Sequence, residues 1–488
     1  MKQKLIIKSA TLFKIFILIF SINVNCKNNH QNVEPLFLLF LSETNKDWYE
    51  LGEEFSGGET TSFDITTINA FDHGASNLSR ERFLRFESGN SFFNTTWTNP
   101  GSSARDGLGP FFINDSCRGC HIRDGVGSAP QLNEKINSMT VQISKKTGTN
   151  INGGPLADPI YGLQLNNRDI YNNQKPEADP RVIGYETKIV TFPDGYQVIL
   201  KKPIFDLNFN YGIPSDYAFS ARVAPKIIGL GLLAAIKEED ILKKVDENDI
   251  NQDGISGKPN YVWNVESNRF ELGRFGWKAN QPNINQQNQA AFNGEIGITT
   301  PLFPNENCTV NSHPSIDCNN PPTGNSQPEA NLEITNLVNF YTHLVAVPIR
   351  RNYKDPKVLR GKELFFKIGC ESCHTQKYIT GNLEEFPEVS NQKIYPYTDL
   401  LLHDMGDDLK DDRSDFLANG REWRTAPLWG IGLVKRVNPN AGFLHDGRAE
   451  TIEEAILWHG GEAEQAKLKY IQLPKNDRES LLEFLNSL

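Results

Sequence analysis

Three methionines, seven cysteines and nine histidines are all that this chain of 488 residues holds, so its possible transition-metal ligands can be weighed one at a time. Net positive charge is missing too: 50 Lys and Arg stand against 60 Asp and Glu, a formal charge of −10. An acidic surface repels phosphate backbones, and no segment carries a compensating basic patch, which excludes nucleic acid as the main partner. Compositional bias is absent as well. With 38% apolar and 23% charged residues the chain is neither disordered nor fibrous, and 38 Gly and 27 Pro describe a globular protein rich in loops. Its length allows about three folding units.

The N-terminus sets the compartment. Lys2, Lys4, Lys8 and Lys14 precede the apolar stretch Ile15–Ile22 and then Cys26, the pattern of a secretory signal and too short a run to span a bilayer. Residues 1–26 are read as a signal peptide ending at a lipidated Cys26, because Ile22-Asn23-Val24-Asn25-Cys26 resembles a loose lipobox, with Asn25 in place of the usual small residue. Plain secretion and an uncleaved anchor are the alternatives. Each places the body outside the cytoplasm, as a periplasmic protein or an outer-membrane lipoprotein held to the membrane by its lipid. Residues 27–56, rich in Asn, Glu and Gly, read as a tether, although the apolar run Leu36–Leu41 has no explanation within it.

The other six cysteines fall into three pairs. Cys308 and Cys318 lie in a Pro- and Asn-rich loop, where an oxidising compartment makes a disulfide the simplest reading. The remaining four occur in Cys117-Arg-Gly-Cys120-His121 and Cys370-Glu-Ser-Cys373-His374. This pentapeptide is the attachment sequence of c-type haem: two thiols reach the two vinyl groups on one porphyrin edge, and the next residue, His, binds the iron. The composition gives roughly 0.002 chance matches in a chain of this length, so two matches point strongly to two covalently attached haem c groups. A zinc site built from Cys117, Cys120, Cys370 and Cys373, or a dithiol redox pair, is the competing reading, but neither needs a His after each second Cys.

The flanks suit cytochrome domains. Gly361 to Gly369 reads as a short helix ending in the second haem loop, and Leu481, Phe484, Leu485 and Leu488 recur at helical spacing after Asp477, a candidate cap. Residues 354–488 are therefore assigned to a C-terminal cytochrome c domain and 57–350 to an N-terminal haem domain with insertions. Within the insertions Ile183 to Phe205 alternates as a hairpin around Pro193-Asp194-Gly195. Ala218 to Val245 is predicted to return to helix. The expected fold is mainly α, two c-type cytochrome-like domains with a β-hairpin and long loops inserted in the first.

These residues resemble the bacterial di-haem oxidoreductases related to di-haem cytochrome c peroxidases, in the branch often labelled thiol oxidoreductase. The stretches that carry the likeness are Gly107-Leu-Gly-Pro-Phe-Phe, Gly294-Glu295-Ile-Gly297, Leu402-His403-Asp404-Met405-Gly406, Arg424-Thr425-Ala-Pro427 and Phe443-Leu-His445-Asp446-Gly447-Arg448. The resemblance implies that the second haem's distal ligand lies fourteen residues after the His of His445-Asp-Gly, which here is His459. Thr451-Ile-Glu-Glu454 is a capping box, and in the helix it opens Ile452, Ala455, Ile456 and His459 share one face. His459 is expected to bind iron opposite His374; a buried structural His is the alternative. From Ile122 to Gln164 there is no His, and Met139 reads as a core residue, so the first haem is expected to keep an open face opposite His121.

The resemblance further implies that Glu295 is the distal acid/base, Trp277 the indole between the haems and Gln287 the distal amide, with structural roles open for each. Asp249, Asn251 and Asp253, followed by Gly254, match the first half of a calcium loop, but Asn260 replaces the bidentate Glu, so a polar turn is equally open. The acidic run Asp404 to Asp415 reads as a solvated loop. The functional expectation is an exported peroxidase-like enzyme that takes electrons from a small redox protein at the bis-His haem. It reduces hydrogen peroxide, or oxidises an unidentified substrate, at the open one. The alternatives are a di-haem electron carrier with no catalytic site and a metal-stapled binding lipoprotein with no redox role.

Overall fold

The computed structural model describes residues 48–102, 105–171, 175–309, 318 and 320–488. The signal segment, Cys26, the run Leu36–Leu41 and the tether through residue 47 lie outside the described residues.

Two crossed helix pairs frame the body. Arg80–Asn94 packs on Leu332–Leu344, and Pro356–Lys367 packs on Lys475–Ser487. Three of the four begin with a side-chain cap: Ser79, Asn331 and Asp355 accept from the backbone N–H groups of Arg82, Ile334 and Lys357. Each crossing is closed over a glycine. A Cβ on Gly89 would lie 2.2 Å from the Leu337 carbonyl oxygen, and one on Gly361 would lie 1.9 Å from that of Ser480, so any side chain there would push the axes apart. The last helix buries Leu481, Phe484, Leu485 and Leu488 as its spacing predicts. Asp477 is not its cap, however. The helix starts after Pro474, and Asp477 instead holds Arg360 through oxygens at 3.0 and 2.8 Å.

The mainly-α expectation is corrected: the described residues are 28% helix and 19% strand, with the strands dispersed in many small sheets. The hairpin stands as read, Arg181–Thr191 pairing with Gln197–Asp206. The helix expected over Ala218 to Val245 does not form. Ala218–Val223 is a strand paired antiparallel with Met139–Ser144, and only the short helices Leu230–Ala234 and Glu238–Leu242 follow. Its partner lies some eighty residues upstream, so the local apolar pattern carried no sign of the pairing. Pro225 also denies the segment a continuous helical ladder.

The two largest cores interleave across residue 350. The core around the first helix pair takes Tyr378, Leu400 and Trp429 from the C-terminal part, and the core around the second takes Phe192, Val198 and Leu200 from the hairpin. Arg478 fastens that hairpin, reaching Asp194 at 2.6 Å and lying 4.2 Å over the Phe192 ring. Trp48–Leu488 consequently packs as one unit. Residues 48–56, assigned to the tether by composition, belong to this body: Glu53 is fully buried between Lys362 and Arg350, the latter at 3.2 Å. Cys308 and Cys318 are disulfide-bonded, with Cα atoms 5.5 Å apart. Among the described residues no helix is long and apolar enough to cross a membrane.

Candidate functional site

The second pentapeptide opens onto a cavity. Pro356–Lys367 delivers the chain to a turn at Cys370–Ser372, and the His374 N–H donates to the Cys370 carbonyl at 3.0 Å. The His374 Nδ1 lies 2.9 Å from the Tyr397 carbonyl oxygen. A carbonyl only accepts, so Nδ1 carries the proton and Nε2 keeps its lone pair for a metal. Burial depresses the ring's pKa to about 4, which keeps it neutral. His374, Cys370 and Cys373 line a cavity of about 420 Å³ together with Phe365, Leu481 and Leu485.

His459 lines the same cavity, as do Ile452, Ala455 and Ile456. The cap forms as read, the Thr451 Oγ1 accepting from the Glu454 N–H at 3.1 Å, but the Glu454 side chain reaches one residue further and accepts from the Glu450 N–H at 2.8 Å. The helix runs Ile452–Trp458, and His459 follows its last turn with Nδ1 donating to the Ala455 carbonyl at 2.7 Å. Burial lowers its pKa as well. Two neutral imidazoles, each with its Nδ1–H already donated to a carbonyl, therefore share one cavity. Met405, to which the sequence reading gave no role, lines it too.

Trp423 forms part of the wall. It stacks on His445 with centroids 3.8 Å apart and planes 9° apart, and the Lys278 ammonium lies 4.5 Å from its ring. Lys278 is fully buried and bonded to Asp411 at 2.7 Å; Arg222 and Arg413 pair with Asp415. The acidic run is thus only partly solvated. Asp411 and Asp415 turn inward to hold this cationic cluster, while Asp407 and Asp412 stay exposed. His403, also on the wall, is gripped by Glu462 at 2.6 Å and Asp399 at 2.9 Å. Burial opposes its charge, but Asp399 and Cys373 lift its pKa well above the usual imidazole value.

The first pentapeptide forms the short helix Cys117–Cys120. The His121 N–H donates to Cys117 at 2.9 Å, and its Nδ1 donates to the Pro225 carbonyl at 2.7 Å. Burial again lowers the ring's pKa to about 4, so His121 matches His374 in tautomer and charge. Glu295 is brought to this motif. Its carbonyl accepts from the Ile113 and Asn114 N–H groups at 2.8 and 3.2 Å, fixing it to the segment that enters the haem loop. Its carboxylate adds to burial in raising the Cys117 and Cys120 thiols, and burial lifts its own pKa to about 7.

Trp277 bridges the two regions. It lines the second cavity, and its Nε1–H donates to the Val223 carbonyl at 2.8 Å, two residues before the Pro225 carbonyl that orients His121. Gln287 is not joined to either motif by a side-chain hydrogen bond among the described residues; its helix, Ile284–Ala291, buries Ile284, Gln286 and Gln289 instead. Met139 is buried in the sheet opposite Val223, as a core residue. At the calcium-like loop, Asp249 accepts from the Gly254 N–H at 3.2 Å and Asp253 pairs with the Asn251 amide at 3.1 Å, the bonding of a polar turn. Among the described residues no group of three or more His, Cys, Asp or Glu is placed to hold a metal ion, so the four motif cysteines do not gather as a zinc site.

The cavity suits a haem. It pairs two vinyl-spaced thiols with neutral imidazoles and an apolar lining, the donor set a covalently held porphyrin iron needs. A family model described as "Di-haem oxidoreductase, putative peroxidase" matches residues 51–488. The chain belongs to this family. No curated protein matches it. Among solved structures, hydrazine synthase of Kuenenia stuttgartiensis is similar at 12% identity, over 95% of this chain and 100% of that one, with a TM-score of 0.33.

Lys226, Arg424, His403 and Met405 are cavity residues that sequence reasoning did not assign. His403, Met405 and Arg424 lay within stretches quoted for the family, so a signal existed. For Lys226 there was none, since only the fold brings it to the cavity.

Proposed function

We propose that this di-haem oxidoreductase is an exported peroxidase that takes electrons at the His374 site and reduces hydrogen peroxide at the His121 site. Export is supported by the leader pattern, by two c-type attachment sequences and by the Cys308–Cys318 disulfide, which suits an oxidising compartment. Cys26 is the proposed lipid anchor. Two haem c groups would be held through Cys117, Cys120 and His121, and through Cys370, Cys373, His374 and His459. When bound, each haem would supply an iron that exchanges single electrons, and the one at the first site would supply the redox chemistry toward peroxide.

The protein's own contribution is proton and electron management. One hydrogen peroxide, two electrons from a small redox protein and two protons give two waters. Glu295 takes the proton from one peroxide oxygen and returns it to the other, a task that calls for a group titrating near neutrality. His374 and His459 would both hold the second haem, which would close that site to substrate. Trp277 provides the indole between them and the first site, tied to Val223, two residues before the Pro225 carbonyl that orients His121.

The observation that carries this reading is Glu295: a carboxyl with a pKa of about 7, held beside the first pentapeptide. An electron carrier has no need of such a group. The test is an optical titration of the purified protein, oxidised and half-reduced, with hydrogen peroxide. One high-spin and one low-spin haem with peroxide turnover is the expected result. Two low-spin, unreactive haems would leave a simple electron carrier.

A further inference from the structure

Four basic side chains line the second cavity, with Asp253 and Glu462 as carboxylates on the same lining; Lys467 pairs with Glu464, whereas Lys226 and Arg424 make no salt bridge among the described residues. Lys226 and Arg424 both line it. The Lys226 ammonium donates to the Pro427 carbonyl at 2.8 Å, and Arg424 donates to the Gly276 and Thr425 carbonyls at 2.9 and 3.3 Å. Carbonyls orient these groups but do not neutralise them. Burial pushes the Lys226 ammonium down to about 7, and the nearby charge that acts on it is Arg424, of the same sign. Burial likewise holds Arg424 at about 10, with Asp399 as the opposing charge. Two like charges set side by side out of water are costly unless an anion joins them.

The chemistry of the lining says which anion. Besides the cations its lining includes Phe365, Ile368, Leu481 and Leu485, the thiols of Cys370 and Cys373 and the imidazoles of His374 and His459. A ligand that satisfies all of these is a broad apolar body bearing carboxylates along one edge. We infer that Lys226 and Arg424 are the clamp for the carboxylates of the second haem, and that Lys226 mechanically links that cavity to the histidine of the first. The link is one peptide long. Pro225, next to Lys226, supplies the carbonyl that fixes the His121 ring, and Val223 holds Trp277. Both cations are positioning residues in this scheme, and the inference rests on a haem filling the second cavity.

The test is a reductive titration of the loaded protein, following each haem by absorption and by magnetic resonance, in Lys226→Gln, Lys226→Arg, Arg424→Gln and the exposed control Lys410→Gln. Removing a cation beside the second haem favours its oxidised form. The reduction equilibrium constant is expected to fall about tenfold, ~59 mV for one electron, in Lys226→Gln and Arg424→Gln, and to hold in Lys226→Arg and Lys410→Gln. The first haem's resonance is expected to shift in Lys226→Gln but not in Arg424→Gln. A Lys226→Gln midpoint no different from that of Lys410→Gln would overturn the clamp. A shifted second midpoint with an unchanged first resonance would overturn the link and keep the clamp. Loss of the second haem in Lys226→Gln but not in Lys226→Arg also supports the clamp; if neither variant accumulates, Arg424→Gln decides by the same midpoint. None of these readouts uses peroxide turnover, so failure here is separate from failure of the peroxidase reading.

Discussion

Replacing Glu295 by Gln removes one ionisation and almost no volume, and its consequences can be worked from the structure. Burial lifts this carboxyl from 4.5 to about 7. That shift is worth about 3 kcal/mol of preference for the neutral form. Two measurements read it. In steady-state turnover with an artificial donor, kcat/KM is expected to rise with pH along a limb centred near 7, because the carboxyl must be ionised to accept the first peroxide proton. Glu295→Gln should lower turnover by about 10²- to 10⁴-fold and abolish that limb. In denaturant titrations the same group works the other way. A folded-state pKa above the unfolded one means the contribution of Glu295 to stability is complete below 4.5 and is lost as pH rises through about 7. Wild type should therefore lose up to about 3 kcal/mol relative to Glu295→Gln across that window. A Gln variant within tenfold of wild-type turnover, or one that keeps the limb, would refute the acid/base assignment.

Two further predictions test the second cavity. His459→Ala should convert one haem from low-spin to high-spin while leaving both covalent attachments intact; an unchanged low-spin spectrum would hand the axial role to another cavity group, with Met405 the first candidate. Lys278→Met removes a fully buried ammonium from Asp411 and from the carbonyls of Arg413 and Asn419, both at 2.8 Å. Breaking one side of such a cluster should cost about 3–5 kcal/mol in denaturant unfolding, and pairing it with Asp411→Leu should recover part of the loss. A cost under about 1 kcal/mol would mean that the cluster does not brace the Trp423–His445 wall.

What could be read in the sequence was what is local. The pentapeptides, the Thr451–Glu454 cap, the hairpin turn and the inward face of Ile452, Ala455, Ile456 and His459 each depend on residues within a few positions of one another, and the fold keeps them all. Asp477 failed as a cap although it is local, because Arg360, over a hundred residues away in sequence, offered its carboxylate a stronger bond than a free N–H would. The strand Ala218–Val223 failed for a related reason: apolar residues fit a helix or a buried strand equally well, and only the distant Met139–Ser144 segment decides between them.

The same distinction governs the candidate site. Its candidate ligands are legible, but the groups that orient them are not. The carbonyls of Pro225, Tyr397 and Ala455 set the tautomers of His121, His374 and His459. Of these only Ala455 lies one helical turn from its histidine, and it is the one that a helix-face argument already placed correctly. Pro225 and Tyr397 reach theirs through tertiary structure, and a backbone carbonyl leaves no mark in a sequence. Lys226 is harder still, because a lysine after a proline suggests a surface loop until it is seen to line the second cavity while Pro225 beside it holds the His121 ring. On the proposed reading, the chain writes its ligands as motifs and the coupling between its two sites as topology. For that reason Lys226→Gln tests the coupling more sharply than any change to the motifs themselves.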